Sequence, residues 1–388
     1  MAQVAPFSIE VPERTIDAIR ERVACFDWAG LPDAGAWSAG IGLAELRRIA
    51  DYWVGHYNWR AAEHELNRFP QFVADLGSQR LHFVHMRGSA RRPLILTHGW
   101  PGSFFEFMHL VEPLAHPERF GGRPEDGFDV IVPSMPGFGF SGRPPGIIGP
   151  RATAGLFRKL MTEVLSYPRF LAQGGDWGAS VSAWMAHDDP QSCAGLHLNM
   201  VLVQARDAKP QTEEECAHWT RRQQSGLEEN GYASLQGTRP QTLSVAMHDS
   251  PLGVAAWIIE KFAAWSDLPR TDGIPDLRAR YTYDQLLTNV MIYLVTGSFA
   301  TASWMYRGRI LERSSSFGSG ERVRVPTAIA VYPDPAFEMA PRSQVSKSYD
   351  VRRWTVMPRG GHFAALETPE PFVDDLRQFA TTLDFGVS

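Results

Sequence analysis

Around position 176 the chain reads Gln173-Gly174-Gly175-Asp176-Trp177-Gly178. This has the form Gly-x-nucleophile-x-Gly, a nucleophile elbow with an aspartate where esterases place a serine. The glycines permit a sharp strand-to-helix turn that lifts the central side chain above the end of a sheet. The carboxylate of Asp176 is ionised at neutral pH, so it can attack an electrophilic sp³ carbon and form an ester with the enzyme. The chemistry implied is the opening of a carbon–oxygen or carbon–halogen bond.

Two further segments carry groups that such chemistry needs. Thr97-His98-Gly99-Trp100-Pro101-Gly102-Ser103 follows an apolar run. A turn there can aim the N–H of Trp100 at the space above Asp176. With the N–H of Trp177 it would form an oxyanion hole. Alone, the segment reads as a Gly-Pro turn with a buried histidine; beside the elbow it reads as functional. Near the C-terminus, Arg359-Gly360-Gly361-His362-Phe363 places a histidine on a glycine-rich loop after a strand. Histidine comes last in the order nucleophile, acid, base, which marks His362 as the general base. The acid has two candidates in Tyr332-Pro333-Asp334-Pro335-Ala336-Phe337-Glu338. Asp334 is short and fixed between prolines, whereas Glu338 reaches further from a freer stretch, and Glu338 is preferred.

These residues need a sheet with helices on both faces to hold them. Pro93–Thr97, Val130–Pro133 and Phe170–Gln173 read as buried strands, and strand signals return at Thr327–Val331 and near Trp354–Val356. Between about Arg206 and Arg313 the pattern is helical, an insertion into one sheet domain, with Ser314–Gly320 as a flexible junction. The first ~90 residues read as helices and irregular connections rather than sheet. Aromatic-dense Asp51–Arg60 suits a segment wrapped over a larger body. The divisions expected are an N-terminal extension over 1–90, core over 91–205, helical lid over 206–315 and core again over 316–388.

Composition narrows the class. The 388 residues are 44% hydrophobic and 21% charged, with a formal net charge of −5. These values fit a globular protein and give no basic footprint for nucleic acid. Cys25, Cys193 and Cys216 are widely spaced, which predicts free thiols rather than a zinc site or disulfide. Met1-Ala2-Gln3-Val4-Ala5-Pro6 lacks the basic start and apolar core of a signal peptide. No apolar run approaches the roughly 20 residues of a membrane span. A cytoplasmic protein without a membrane partner is expected.

His98-Gly99-Trp100-Pro101-Gly102-Ser103, the Asp176 elbow and Arg359–Ala365 together resemble the microsomal-type epoxide hydrolases. The similarity extends through Tyr57-Asn58-Trp59-Arg60, Asn67-Arg68-Phe69-Pro70, Pro133–Ser141, Gln236–Thr242 and Asp249–Gly253, nearly the whole chain. It implies an α/β-hydrolase fold with a helical lid insertion and an N-terminal wrapping extension. It also implies an epoxide and water as reactants, no metal or organic cofactor, and a vicinal diol as product. The family uses two lid tyrosines to hydrogen-bond the epoxide oxygen, and they correspond here to Tyr232 and Tyr306. Its orienting acid usually lies about two residues past a Phe-Pro pair. Here Tyr332-Pro333 is followed by Asp334 one residue on and Glu338 five on, so the resemblance leaves the acid open. The chain is also similar to bacterial members that act in antibiotic pathways, including those making enediynes.

Two other functions are compatible with parts of this pattern. A haloalkane-type dehalogenase also uses an aspartate elbow, and Trp177 could donate its indole N–H to a leaving halide. The two lid tyrosines argue against it, since a halide leaves without a proton. A non-catalytic receptor of the same fold conflicts with an intact nucleophile, base and oxyanion motif. The sequence does not define the natural epoxide, and a homo-oligomer is left open.

Overall fold

The computed structural model describes residues 3–386. Its centre is a nine-stranded sheet. In chain order the strands are β1 (Val4–Phe7), β2 (Gln71–Leu76), β3 (Gln79–Met86), β4 (Pro93–Thr97), β5 (Asp129–Pro133), β6 (Phe170–Gly174), β7 (Cys193–Leu198), β8 (Val323–Val331) and β9 (Tyr349–Val356). They lie side by side as β1-β2-β3-β5-β4-β6-β7-β8-β9. From β5 to β9 every pairing is parallel; β1, β2 and β3 add antiparallel pairings at one edge. Every residue of β4 to β7 is buried. That is the pattern of parallel strands covered on both faces. The ends of β4, β6 and β8 deliver the candidate loops to one edge of this layer.

The edge strands correct the expectation of a sheet-free N-terminal segment. Apolar alternation is broken there by polar residues that are nonetheless buried, namely Gln71, Gln79, His82 and His85. Their partners are internal. His82 is 2.9 Å from both Ser134 Oγ and Gln71 Oε1 through its two ring nitrogens, and His85 Nε2 is 3.1 Å from Tyr167 Oη. Satisfied polar groups can occupy core-facing strand positions, and this hides the period-two signal.

Helices α1 (Glu13–Ala24), α2 (Leu43–Gly55) and α3 (Trp59–Leu66) precede β2. Trp53 and Trp59 are buried, while Tyr52 donates to Asp284 and Tyr57 is 3.1 Å from Thr288 Oγ1. The N-terminal segment thus packs directly on the helices inserted between β7 and β8. Helices α4 (Met108–Ala115), α5 (Pro150–Lys159) and α6 (Asp176–Asp188) flank the sheet. The inserted layer consists of α7 (Glu213–Glu229), α8 (Gly231–Thr238), α9 (Pro240–Asp249), α10 (Pro251–Trp265), α11 (Tyr283–Thr296) and α12 (Phe299–Glu312). Capping boxes start α7 at Thr212/Glu215 and α11 at Thr282/Gln285. Its two ends meet, since Gln204–Ala205 pairs in parallel with Ser316–Phe317. Among the described residues no single helix is long and apolar enough to cross a membrane.

Candidate active site

The turn from β6 into α6 is built by close approach. A Cβ on Gly178 would lie 1.9 Å from the carbonyl oxygen of Thr97, and one on Gly174 would lie 2.2 Å from Gly178. Only glycine lets strand and helix meet there. Asp176 opens the helix with φ of +47°. A non-glycine residue in that region costs about 1–3 kcal/mol and persists where the surroundings over-determine it.

The Asp176 carboxylate has distinct partners at its two oxygens. Trp100 donates its backbone N–H to Oδ1 at 2.8 Å, and Oδ2 lies 3.5 Å from His362 Nε2. The loop that presents Trp100 is tied from several sides. His98 is buried, and burial lowers its pKa to about 4. Its neutral ring accepts from the Met135 N–H at Nε2 and donates to the Gly99 carbonyl from Nδ1. Asn289 and Tyr293 of α11 donate to the carbonyls of Pro101 and Gly102 at 2.8 and 2.6 Å. Trp177, also buried, is the second residue of α6. Its N–H is therefore among the first-turn donors that have no partner within a helix.

His362 is held by both its backbone and its ring. The backbone N–H donates to the Trp265 carbonyl at 3.0 Å, and Nδ1 donates to Asp334 Oδ2 at 2.9 Å. Asp334 Oδ1 accepts from the N–H groups of Ala336 and Phe337, both at 2.9 Å. The preference for Glu338 as this partner is therefore corrected. Glu338 is half-exposed and accepts two hydrogen bonds from Arg221 of α7, at 2.9 and 2.7 Å. Its longer reach is spent on a surface ion pair. Burial disfavours the imidazolium of His362, but the Asp176 and Asp334 carboxylates outweigh it and hold the pKa above its ordinary value.

Tyr232 of α8 and Tyr306 of α12 enter the same space. Trp100 stacks on Tyr232 with ring centroids 5.0 Å apart, and Trp177 meets Tyr306 edge-on at 4.7 Å. The Tyr306 hydroxyl is buried without a hydrogen-bond partner. Burial raises both phenol pKa values, and the Asp176 charge raises them further. Both tyrosines are therefore neutral donors at physiological pH.

Two cavities meet at Asp176. One, of about 450 Å³, is lined by Asp176, Trp177, Met200, Tyr232, Tyr306 and Phe337, with Arg222 and Arg309 on its lid side. The other, of about 20 Å³, is bounded by Asp176, His362, Glu106 and Asn199. The second is close to the space one water molecule needs.

Several contributors were not identified from sequence. Burial raises the Glu106 pKa to about 8. Glu367 Oε2 accepts from the N–H groups of Asp267 and Gly361, and its Oε1 accepts from that of Phe363. It thereby pins the loop on both sides of His362. Glu367 falls five residues after His362, and such nearness was the one available signal. For Arg309 the signal was its i+3 spacing from Tyr306, which places both on one helix face.

A parallel-centred sheet, a strand–turn–helix nucleophile and a helical layer over its edge define an α/β hydrolase. The alpha/beta hydrolase fold profile matches residues 92–245, and the profile described as Epoxide hydrolase N terminus matches residues 4–107. A relative from Stigmatella aurantiaca (strain DW4/3-1) is 37% identical over 383 residues, covering 97% of this chain and 84% of its own. Epoxide hydrolase 1 of Sus scrofa is 30% identical, covering 98% and 89%. The structure of Aspergillus niger epoxide hydrolase superposes with a TM-score of 0.84 at 27% identity, covering 98% of this chain and 97% of that one. The chain belongs to the epoxide hydrolase family. Neither the dehalogenase nor the receptor alternative is favoured by these relatives.

Proposed function

We propose that the chain converts an epoxide to a vicinal diol through an ester on Asp176. The observation that carries this is the approach of Asp176 Oδ2 and His362 Nε2 to 3.5 Å, with Oδ1 held by the Trp100 N–H. A carboxylate oxygen of Asp176 attacks one ring carbon and the carbon–oxygen bond breaks. Tyr232 and Tyr306 donate to the developing alkoxide, and one of them delivers the proton. Esterification then removes the Asp176 charge from beside His362. The imidazolium loses one of its two counter-charges and its pKa falls, so its proton passes to the tyrosinate, and the neutral imidazole can then take a proton from water. The hydroxide formed attacks the ester carbonyl carbon. Negative charge gathers on the oxygen facing the Trp100 and Trp177 N–H groups, where loss of one donor typically costs about 10²–10³ in rate. Collapse expels the diol oxygen, which takes the proton from His362, and the proton left on the Asp176 carboxyl passes to the imidazole, restoring the carboxylate–imidazolium pair. Asp334 holds the ring and balances the imidazolium throughout.

A single turnover in H₂¹⁸O tests the scheme. The label should appear in the Asp176 carboxylate and not in the first equivalent of diol. Label in that first diol, with none in Asp176, would require direct attack of water on the epoxide.

A further inference from the structure

The lid wall of the larger cavity carries two cations. Arg222 of α7 and Arg309 of α12 both line it, opposite in origin to Asp176, which comes from the core. Each is only partly exposed. Among the described residues, no carboxylate lies within ion-pair distance of either guanidinium, and the Nε of Arg309 is buried without a partner. Three carboxylates of the surrounding elements are committed elsewhere. Glu338 is held by Arg221, Asp334 by His362, and Glu229 by the Trp265 indole N–H at 2.9 Å. Burial and the charge of Arg309 both lower the pKa of Arg222, so the two cations repel each other in poorly solvated surroundings.

Partly buried charges are ordinarily paired, because an unpaired one forfeits hydration without return. Two unpaired guanidiniums facing one cavity have donors for an oxyanion in a planar fork that suits a carboxylate. The Arg309 guanidinium also lies 5.3 Å from the centre of the Trp177 ring, a cation–π contact with the residue that follows the nucleophile. Arg309 follows Tyr306 by three residues, so its Cβ sits about 5–6 Å along the same helix face. A ligand anion there would be separated from the epoxide oxygen at Tyr306 by only a few atoms.

We infer that Arg222 and Arg309 form a subsite for an organic anion, so that the substrate is an epoxide carrying a carboxylate a few atoms from the ring. This rests on the cavity being the epoxide site proposed above. The remaining wall carries apolar side chains (Met200, Leu202, Phe337 and Ile310) beside polar ones such as Asn230 and Ser234, and the apolar part accommodates a hydrocarbon body between the two polar ends.

The decisive measurement is binding, which does not depend on turnover. Titration calorimetry would compare 4-(1,2-dihydroxyethyl)benzoate with its neutral primary amide on the full chain. Wild type should bind the carboxylate about 10- to 100-fold more tightly, the range for charge-assisted bonds in a partly buried site. Added salt should shrink that ratio. In Arg222→Gln and Arg309→Gln the ratio should fall, and in the double variant it should approach one. Arg309→Lys should retain part of it. A wild-type ratio near one, or a ratio that survives in the double variant, would overturn the inference. If the double variant does not fold, the wild-type ratio and its salt dependence decide alone. Turnover of the two parent epoxides separates this from the broader proposal. Diol formed with a binding ratio near one removes only the anion subsite; a strong ratio without diol from either epoxide removes only the reaction.

Discussion

Asp334 Oδ2 accepts from His362 Nδ1 at 2.9 Å, while the other oxygen of the same carboxylate is occupied by the N–H groups of Ala336 and Phe337. The acid is thus fixed in place before it meets the ring. Such an arrangement favours one orientation of the imidazole and leaves Nε2 facing Asp176. It also separates Asp334 from Glu338, whose partner is Arg221.

Asp334→Asn should therefore slow ester hydrolysis on the order of 10³–10⁴-fold, because the imidazolium that forms during water attack loses its counter-charge. Ester formation should change far less, so the alkyl-enzyme should accumulate and add the substrate's mass to the protein. Glu338→Gln should stay within about twofold in both steps, since an exposed ion pair contributes little. Quench-flow with intact-protein mass spectrometry measures both steps. Normal ester hydrolysis in Asp334→Asn would sink the assignment.

The tyrosines should affect the other half of the cycle. Tyr232→Phe and Tyr306→Phe each leave one phenol to meet the alkoxide, and a loss of about 10-fold in ring opening is expected for either. Removing both should cost about 10³-fold or more, beyond the product of independent small effects. Trp100 and Trp177 touch these rings, so stopped-flow tryptophan fluorescence can follow the step. Unchanged ring opening in the double variant would place oxygen activation elsewhere.

Glu106 yields a prediction on stability. Burial raises its pKa from 4.5 to about 8, with Asp176 adding to the rise and His362 opposing it. The folded chain therefore holds this proton more tightly than the unfolded chain between those values. Stability from this group is fully present below about pH 4.5 and is lost as pH rises through about 8. Glu106→Gln removes the titration. Urea unfolding between pH 5 and 8 should show the variant gaining on wild type as pH rises. A difference that stays constant across this window would mean that Glu106 is not held protonated.

How far the sequence spoke for itself follows from where each constraint originates. Asp176, Trp100 and His362 lie in contiguous glycine-rich turns whose geometry is dictated locally, and their mutual placement was readable. The acid was not, because the deciding contact comes from Arg221, which is 117 residues away and captures Glu338. β2 and β3 were hidden by buried but satisfied polar side chains such as His82. Glu106 was invisible because its raised pKa comes from burial, which only the assembled fold supplies. Local rules placed the turns, and long-range contacts decided between neighbouring acids.

The support of the His362 loop supplies the last prediction. Glu367 is buried and accepts three backbone N–H groups with two oxygens, those of Asp267 and Gly361 on Oε2 and that of Phe363 on Oε1. Glutamine has one carbonyl oxygen, so its NH₂ group must face at least one of these donors. Glu367→Gln should therefore destabilise the fold by about 1–3 kcal/mol, the cost of a buried donor left unmet. Glu367→Ala removes every acceptor and should cost more. Both should slow ester hydrolysis more than ester formation, because the loop carries His362 and not Asp176. Thermal unfolding paired with pre-steady-state kinetics checks both parts. A Glu367→Gln protein as stable as wild type, with unaltered ester hydrolysis, would show that the loop holds His362 in place without this carboxylate.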